Sequence, residues 1–259
     1  MEATSQRPLV IVQARMGSTR LPGKVMRSLI GKPVLWHVVD RLRFCKKIES
    51  IVVATTTEPE DDAIEDWCCT QWVPCFRGSE DDVLDRYYQA AKFFQASSIL
   101  RITADCPAID PIIIDELLGE YEDHGYDACG LAGGFPDGLD CEVVSFSALE
   151  HAWNKAEMAS EREHVTPYIH GHPELFRIGK FERFCHLEHH RWTLDEEPDF
   201  RFLERVFYRL YREDTPFVTA DILTLLEREP ELMKINQGIT RNEGYLRSLQ
   251  TDHRVGVRS

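Results

Sequence analysis

The stretch Val10-Ile-Val-Gln-Ala-Arg-Met-Gly-Ser-Thr-Arg-Leu-Pro-Gly-Lys24 joins an apolar segment directly to a loop of glycines, hydroxyl groups and positive charge. Leu9–Val12 form the largely β-branched run that is typical of a parallel sheet covered on both faces. Gly17 and Gly23 allow backbone amides to approach an anion closely, and the arginine and lysine side chains add fixed charge. The stretch therefore predicts a buried strand that is followed by a phosphate-binding loop.

The loop is basic although the chain as a whole is acidic. Residues 3–39 contain no Asp or Glu, whereas the chain has 44 acidic and 30 basic residues and a formal charge of -14. Charge alone leaves open the interpretation that the loop is solvated surface.

The spacing of the glycines excludes two well-known nucleotide-binding loops. Five residues separate Gly17 from Gly23 and a valine follows Lys24, which breaks the P-loop pattern, and no GxGxxG fingerprint is present.

Hydrophobic periodicity predicts an α/β protein with a mostly parallel open sheet. In the first half of the chain, apolar runs alternate with segments of helical spacing, which is a βαβ pattern. The predicted strands are Leu9–Val12, Ser50–Ala54, Val73–Phe76, Ser98–Thr103, Cys141–Ser145, 176–179 and His190–Leu194, and the predicted helices cover 35–42, Val83–Phe94 and Ala148–Lys155. At 259 residues the chain can form one domain with a large core, so we expect a single domain over residues 1–259.

Composition indicates the compartment. No apolar run approaches the ~20 residues of a membrane span, and the N-terminus lacks the apolar stretch of a signal peptide. The eight cysteines form no CxxC pair, which favours reduced thiols. We therefore expect a cytoplasmic protein that has neither a membrane nor a nucleic acid as a partner.

Several further segments carry a family likeness together with Gln13–Lys24. They are Val52–Thr57, Phe76–Tyr88, Arg101–Pro107, Phe135–Asp140, Ser160–Pro167, Arg191–Asp195 and Arg241–Tyr245. In this order they resemble the sugar-acid cytidylyltransferases, the family of the 3-deoxy-manno-octulosonate and acylneuraminate enzymes, and most of all its spore-coat-polysaccharide branch. The resemblance implies a Rossmann-like nucleotidyltransferase fold of the GT-A-like kind, CTP as a substrate, and a homodimer. It also implies an acceptor-binding and dimerisation segment at about 130–190, inserted before the last strand and the C-terminal helices.

Asp105 and Asp195 are the candidate metal ligands. Each follows an apolar segment, as Ile102-Thr-Ala-Asp105 and Trp192-Thr-Leu-Asp195, so that each can project from the end of a strand into one crevice. Carboxylate oxygens suit Mg²⁺, which binds through one or two carboxylates together with substrate phosphates. By resemblance, both residues match the metal-binding aspartates of the family. The alternative is that either one only caps the segment that follows it.

The nucleotide site is assigned by strand-end position and by resemblance. The first loop is expected to hold the triphosphate, and Thr55 and Thr56 to lie beside it. Ser79, Asp85 and Arg86 resemble positions near the nucleotide base. Alternatively, Ser79 only caps a helix and Asp85 with Arg86 is only a solvated helical pair. The predicted catalytic residues are Arg15, Arg20, Lys24 and Asp105, and the predicted nucleotide-binding residues are Gln13, Ala14, Gly17, Ser18, Thr55, Thr56, Ser79, Asp85 and Arg86.

Acceptor contacts are expected from two turn-rich or charged segments, 135–140 and 160–166. Arg162 and His164 could bind an acidic substrate through a forked set of donors. It is equally open that Glu161, Arg162 and Glu163 form a charged helix start that is paired within itself. The predicted acceptor-binding residues are Asp137, Asp140, Glu161, Arg162 and His164.

The predicted reaction is in-line transfer of CMP from CTP to an anionic acceptor, with release of pyrophosphate. The acceptor would be a sugar acid, a sugar phosphate or a phosphonate, which is already ionised, and Mg²⁺ would be the cofactor. The apolar residues after Gly130, with Phe176 and Phe181, are the expected dimer patch. Two alternatives are a glycosyltransferase, which commonly has a DxD motif that this chain lacks, and a non-catalytic nucleotide-binding protein.

Overall fold

The structure, a computed structural model, describes residues 7–239, 241 and 243–255. Its β-strands are β1 (Leu9–Gln13), β2 (Ser28–Leu29), β3 (Lys32–Pro33), β4 (Ser50–Thr56), β5 (Cys75–Gly78), β6 (Ser98–Thr103), β7 (Ala128–Ala132), β8 (Cys141–Ser145) and β9 (Ile178–Glu182). Its α-helices are α1 (Val34–Leu42), α2 (Asp62–Gln71), α3 (Val83–Phe93), α4 (Pro111–His124), α5 (Phe146–Lys155), α6 (Ala159–His164), α7 (Pro167–Gly171), α8 (Glu197–Leu210), α9 (Thr219–Arg228) and α10 (Glu243–Gln250). Short 3-10 helices cover Lys24–Met26, Pro59–Asp61 and Pro230–Ile235.

One sheet of seven strands organises the described chain, in the order β5-β4-β1-β6-β8-β7-β9. Strand β1 pairs in parallel with β4 and β6, and β4 pairs in parallel with β5. Strand β8 is antiparallel to both of its neighbours, β6 and β7, while β9 is parallel to β7. The predicted α/β fold with a mostly parallel open sheet is confirmed.

Strand β1 is buried on both faces of this sheet. Val10 and Val12 pack into the core that contains Leu35 and Leu42 of α1, whereas Ile11 packs into the core on the other face. Val10 pairs with residues of β4 and β6 on its two sides. A strand that is covered in this way has no polar face, which explains its uninterrupted apolar run.

A third core lies under the C-terminal helices. Phe202 and Val206 of α8 pack there with Trp192 and Leu194, which precede the helix. The prediction of a strand at 190–194 is wrong. The segment makes one isolated bridge, between Asp137 and Arg191, and its apolar side chains pack against helices. Burial between a sheet and a helix layer produces the same apolar run as a buried strand.

Other boundaries differ from the predicted ones for similar reasons. Strand β5 starts at Cys75 rather than Val73, because the backbone of Trp72 is left-handed at φ 56° and ends α2 there. Strand β9 starts at Ile178, two residues after the predicted start. Strand β7 and helix α4 are additional to the predicted elements.

The segment 130–190 is part of the main sheet, to which it contributes β8 and β9. The prediction that it is inserted before a last strand is therefore wrong, since β9 is the last strand of the described chain. Phe176 is also buried, in the core beside α7, so it cannot belong to an exposed dimer patch. All eight cysteines are free in the structure. Within the described ranges, no helix combines the length and the apolar character that crossing a bilayer requires.

Candidate active site

A cleft lies at the carboxyl ends of β1 and β6, where the sequence predicts a site. It consists of an inner cavity of about 530 Å³ and an outer cavity of about 760 Å³. The residues that line both cavities are Gln13, Arg15, Thr103, Glu163 and His164. The inner cavity is also lined by Ala14, Ser18, Arg20, Lys24, Asp105, Asp195, Glu243 and Ser248. The first loop, two aspartates and α10 thus surround one space.

The predicted phosphate-binding loop is held by its own backbone. The N–H groups of Ser18 and Gly23 both donate to the carbonyl oxygen of Met16, at 2.8 and 3.0 Å. Gly23 has a left-handed backbone with φ 68°, which glycine adopts without a steric penalty. The 3-10 helix that begins at Lys24 follows at once, and it directs the lysine into the inner cavity.

Asp61 anchors the same loop to the sheet. This side chain is 1% exposed, and it accepts hydrogen bonds from Met16 N at 2.7 Å and from both the N and Oγ1 atoms of Thr56, at 3.1 and 2.5 Å. The carboxylate thereby joins the loop after β1 to the end of β4. Sequence analysis does not single out Asp61, because an acidic residue after a strand is ordinary in itself.

Lys24 brings the two candidate metal ligands together. Its Nζ atom lies 2.6 Å from Asp105 Oδ2 and 2.8 Å from Asp195 Oδ1. Burial alone would lower the pKa of Lys24, but the two carboxylates outweigh burial and raise it. Burial alone would raise the pKa of Asp195, but Lys24 lowers it, with help from Arg20 and Arg191. Lys24 and Asp195 are therefore both charged at neutral pH.

Arg191 fixes the orientation of Asp195. Its guanidinium donates to Asp195 Oδ2 at 2.9 Å, to Asp137 Oδ2 at 2.8 Å and to Asp199 Oδ1 at 2.9 Å. Asp195 Oδ1 is left facing Lys24. The alternative that Asp195 caps a helix is wrong, because the N-cap of α8 is Glu196, and Asp199 within the helix accepts the N–H groups of Asp195 and Glu196.

The chemistry of the two aspartates fits a divalent cation that needs further ligands from outside the protein. Among the described residues, no group of three or more His, Cys, Asp or Glu side chains could bind a metal by itself. Asp105 and Asp195 each offer an oxygen to the same point in the cleft. Mg²⁺ commonly binds through one or two carboxylates and completes its shell with phosphate oxygens and water.

The arginines of the loop also face acidic partners. Arg20 lies 3.1 Å from Asp195 Oδ1 and 3.4 Å from Glu243 Oε2, and Arg15 lies 3.6 Å from Glu80 Oε1. Both arginines line the cleft. The interpretation of this loop as solvated surface is therefore wrong, since its cations converge on one cavity.

The comparison with a protein-family model agrees with this geometry. The model described as cytidylyltransferase matches residues 9–238, which extend from β1 to the segment after the last 3-10 helix. The chain belongs to the cytidylyltransferase family. It is accordingly a nucleotidyltransferase, as the sequence predicts.

Two relatives of this cytidylyltransferase cover most of its length. An uncharacterised protein of Methanocaldococcus jannaschii is 37% identical over 91% of this chain and 96% of its own. The spore coat polysaccharide biosynthesis protein SpsF of Bacillus subtilis is 35% identical over 86% of this chain and 95% of its own. A solved cytidylyltransferase structure from Leptospira borgpetersenii superimposes with a TM-score of 0.84 at 31% identity, over 91% of this chain and all of that one.

Four of the predicted nucleotide-binding residues lie at the loop. Gln13, Ala14 and Ser18 line the cleft of the cytidylyltransferase. An added Cβ at Gly17 would lie 2.9 Å from Glu60 Oε1, but this atom is the end of a flexible, exposed side chain that can move aside. Neither close packing nor a positive φ therefore requires glycine at this position.

Thr55 and Thr56 lie behind the cleft. Both side chains are buried, at 0% and 1% exposure, and neither lines the inner or the outer cavity. Thr56 holds Asp61, as described above. The prediction that these residues lie beside the triphosphate is therefore wrong, because their side chains are enclosed by the protein.

Helix α3 presents a different acid to the cleft than the one predicted. Asp85 accepts from Trp153 Nε1 at 2.8 Å and from Gln89 Nε2 at 3.1 Å, so its carboxylate faces α5. Asp82, the N-cap of α3, lines the outer cavity instead. Ser79 Oγ accepts from Asp82 N at 3.0 Å and stabilises the turn before the helix, rather than capping the helix itself.

Arg86 is fully buried beneath this turn. Its Nη1 atom donates to Ser79 O at 2.5 Å, while its Nε and Nη2 atoms have no hydrogen-bond partner among the described residues. Burial lowers the pKa of the guanidinium. Asp85 and Arg86 are thus not a solvated pair, and Arg86 supports the rim of the outer cavity from behind.

The predicted acceptor residues are divided by the fold. Glu161 Oε2 accepts from the N–H groups of Glu157 and Met158, both at 3.0 Å, and so belongs to the start of α6. Arg162 donates to Asp82 and to the carbonyl oxygen of Trp153. The polar atoms of both residues are thus bonded within the protein, although Arg162 also lines the outer cavity, and acceptor contacts from this pair stay a prediction.

The other three predicted acceptor-binding residues differ in how far they are accessible from the cavities. His164 lines both cavities of the cleft, with Nε2 at 2.8 Å from Ser248 Oγ, and burial lowers its pKa. Asp137 is bonded to Arg191, and burial first, then Asp140, raises its pKa to about 6. Asp140 lines a third cavity, of about 450 Å³, beside the cleft.

The C-terminal helix is a component of the site that sequence analysis misses. Glu243 and Ser248 of α10 line the inner cavity, and they contact Arg20 and His164 of the opposite side. The family-like segment Arg241–Tyr245 is the available signal. Its Asn242 lies outside the described residues.

Proposed function

We propose that this cytidylyltransferase transfers CMP from CTP to an anionic acceptor and releases pyrophosphate. The observation that carries the proposal is that Lys24, at the end of the predicted phosphate-binding loop, contacts both Asp105 and Asp195. Cation and carboxylates lie together where phosphates of a nucleotide in an open α/β sheet would enter. The acceptor would be a sugar acid, a sugar phosphate or a phosphonate.

The loop would bind the leaving pyrophosphate. Arg15, Arg20 and Lys24 would hold the β and γ phosphates, and they would stabilise the charge that develops as the α-phosphorus bond to pyrophosphate breaks. Mg²⁺ held by Asp105 and Asp195 would supply further charge neutralisation at the phosphates. An ionised acceptor oxygen attacks without a general base, so the protein has only to orient it in line.

The outer cavity of the cleft is the proposed site of the cytidine. Its volume of about 760 Å³ is ample for a nucleoside. Gln13, Asp82 and Arg101 line it and provide both hydrogen-bond donors and hydrogen-bond acceptors. Arg86 would act indirectly, because it holds the turn at Ser79 that precedes the lining residue Asp82. Arg162 lines the cavity itself and holds the carboxylate of Asp82.

The third cavity is the proposed acceptor site. It shares Arg101 and Thr103 with the outer cavity of the cleft, so a molecule in it can reach the nucleotide. Its cations include His170 and Lys180, and Glu142 and Asp140 provide hydrogen-bond acceptors for hydroxyl groups. This mixture suits a hydroxylated acid. The name of the SpsF relative supports a role in the synthesis of a surface polysaccharide.

We further propose Mg²⁺ as the cofactor, a homodimer as the assembly and the cytoplasm as the location. CTP and the acceptor are the proposed partners, without nucleic acid or membrane. A glycosyltransferase activity has no support in the geometry, because the aspartates lie after two separate segments and no DxD motif is present. A non-catalytic role is disfavoured, since both aspartates reach the phosphate-binding loop.

The test is a screen of pyrophosphate release from CTP, with sugar acids, sugar phosphates and phosphonates as acceptors. ATP, GTP and UTP serve as matched nucleotides, and the Asp105→Asn variant controls for contaminating activity. We expect release with CTP and an anionic acceptor, and a CMP-linked product in the mass spectrum. Consumption of a nucleotide sugar without pyrophosphate would show that the proposed reaction is wrong.

A further inference from the structure

Lys24 occupies the point at which a divalent cation bound to both aspartates would have to lie. Its Nζ atom is 2.6 Å from Asp105 Oδ2 and 2.8 Å from Asp195 Oδ1. Its side chain is 11% exposed, so that water screens these contacts only weakly. The ammonium thus satisfies the same two oxygens that a hard dication would coordinate.

Asp195 has no spare oxygen with which to bind a metal beside the lysine. Its Oδ2 atom accepts from Arg191 at 2.9 Å, and its Oδ1 atom faces Lys24 and also Arg20, at 3.1 Å. A dication at Oδ1 would stand next to an ammonium and a guanidinium at short range. Like charges at such distances repel strongly in a partly buried site.

The polyphosphate of a nucleotide offers Lys24 another anion. The inner cavity is bordered by Lys24, Arg20 and Ser18, so a triphosphate in it would lie next to the ammonium. A lysine side chain is a compact charge on a flexible stem and can follow that anion over a few ångströms. Its departure would remove the ammonium from both carboxylate oxygens at once, and a triphosphate would also draw on the neighbouring Arg20.

We propose that Lys24 and a divalent cation are alternative partners of the Asp105–Asp195 pair, and that the CTP polyphosphate exchanges one for the other. The inference rests on the proposed function only for the identity of the nucleotide. It follows that metal binds weakly without nucleotide. Metal and nucleotide also strengthen each other's binding by the same factor, since coupling between two sites is reciprocal.

The test measures binding of Mn²⁺ to the nucleotide-free protein, from the electron paramagnetic resonance signal of the free ion. We expect Lys24→Met to bind Mn²⁺ at least tenfold more tightly than the parent. Lys47→Met is the matched control. It also removes a lysine from an ion pair, with Glu122, but outside the cleft, and should leave Mn²⁺ binding unchanged. Adding Asp105→Asn to Lys24→Met should abolish the gain.

Affinity for CTP, measured by equilibrium dialysis without acceptor, supplies the second arm. Mn²⁺ should raise the CTP affinity of the parent at least tenfold, and that of Lys24→Met by a smaller factor. Lys24→Gln repeats both measurements if circular dichroism shows that the Met variant is unfolded. Unchanged or weaker Mn²⁺ binding in the folded Lys24 variants would overturn the inference. If the parent binds no CTP, the proposed function fails, whereas the nucleotide-free comparison still decides whether Lys24 and metal compete.

Discussion

Arg162 of α6 is bound to Asp82 of α3 by two guanidinium nitrogens, with Nε at 3.0 Å from both carboxylate oxygens and Nη2 at 2.6 Å from Oδ2. Its Nη1 atom donates to Trp153 O. The side chains of the pair are 8% and 15% exposed. The arginine therefore joins three elements at the wall of the outer cavity, and its forked donors are occupied by protein groups.

Replacing Arg162 should consequently reduce stability. We expect Arg162→Met to lower the free energy of unfolding by about 3 kcal/mol, because it removes the guanidinium that forms an ion pair with the largely buried Asp82. Urea denaturation measures this change. Arg183→Met is the control, since Arg183 pairs with Glu116 where both side chains are about 40% exposed, and it should cost at most about 1 kcal/mol. Equal losses in the two variants would contradict the structural role of Arg162.

Lys24 and Arg20 should matter for transfer more than for folding. We expect Lys24→Ala and Arg20→Ala each to lower kcat/KM for CTP by about 2 to 4 kcal/mol, or roughly 30- to 900-fold, because each removes one preorganised cation. Initial rates of pyrophosphate release measure the effect, and circular dichroism checks the fold. Lys47→Ala, outside the cleft, should retain the parent rate. Near-normal turnover in both loop variants would contradict the proposal that this loop binds the CTP phosphates.

Activity should depend on metal through the two aspartates. We expect Asp105→Asn and Asp195→Asn each to reduce Mg²⁺-supported pyrophosphate release nearly to background, because a carboxamide carries no charge for the cation. EDTA should stop the parent enzyme, and excess Mg²⁺ should restore it. Asp123→Asn, at an exposed position on α4, serves as control. Activity that survives chelation would refute the metal assignment.

The His170–Glu142 pair should make stability depend on pH. His170 Nε2 is 2.6 Å from Glu142 Oε1, which raises the pKa of His170 above 6.5. Burial alone would raise the pKa of Glu142, but His170, Arg101 and Thr166 outweigh it and lower the pKa to about 2. The histidine contribution is complete below pH 6.5 and is lost as the pH rises through its folded pKa, whereas the glutamate contribution is lost as the pH falls from 4.5 through about 2.

Thermal unfolding at two pH values tests this linkage. We expect His170→Gln to lower Tm more at pH 6 than at pH 8.5, because only the protonated histidine gains from Glu142. His151→Gln, at an exposed position on α5, controls for loss of an imidazole. A decrease in Tm that is the same at both pH values would contradict the ion pair.

The predicted homodimer is tested by light scattering at micromolar concentration, where we expect twice the mass of one chain. Strand β9 lies at the edge of the sheet, and Leu175 just before it is 52% exposed, so this region offers an unpaired edge beside an apolar side chain. Leu175→Glu should favour the monomer. Phe93→Glu, which replaces an apolar residue that is 71% exposed on α3, should not. A monomer mass for the parent would remove the prediction.

Much of the fold can be predicted from the sequence, because the apolar runs coincide with the strands that the tertiary structure buries. Strands β1, β6 and β8 are located within a residue, since a buried strand needs an apolar run and the turns around it need glycine or polar residues. The prediction fails at 190–194, where burial against α8 produces the same run without a strand. A hydrophobic pattern indicates that a segment is buried, but it does not indicate which elements pack against that segment.

The candidate site, too, could be predicted only in part from the sequence. The sequence by itself determined which residues could bind phosphate and metal, because Gly23, Lys24, Asp105 and Asp195 differ chemically from their surroundings. Tertiary structure alone decided which charged groups remain available to substrate. Arg162 carries the chemistry of an acceptor site, yet Asp82, eighty positions earlier in the chain, already holds it. A buried charge must find a partner, and sequence spacing does not specify that partner when it lies on another element.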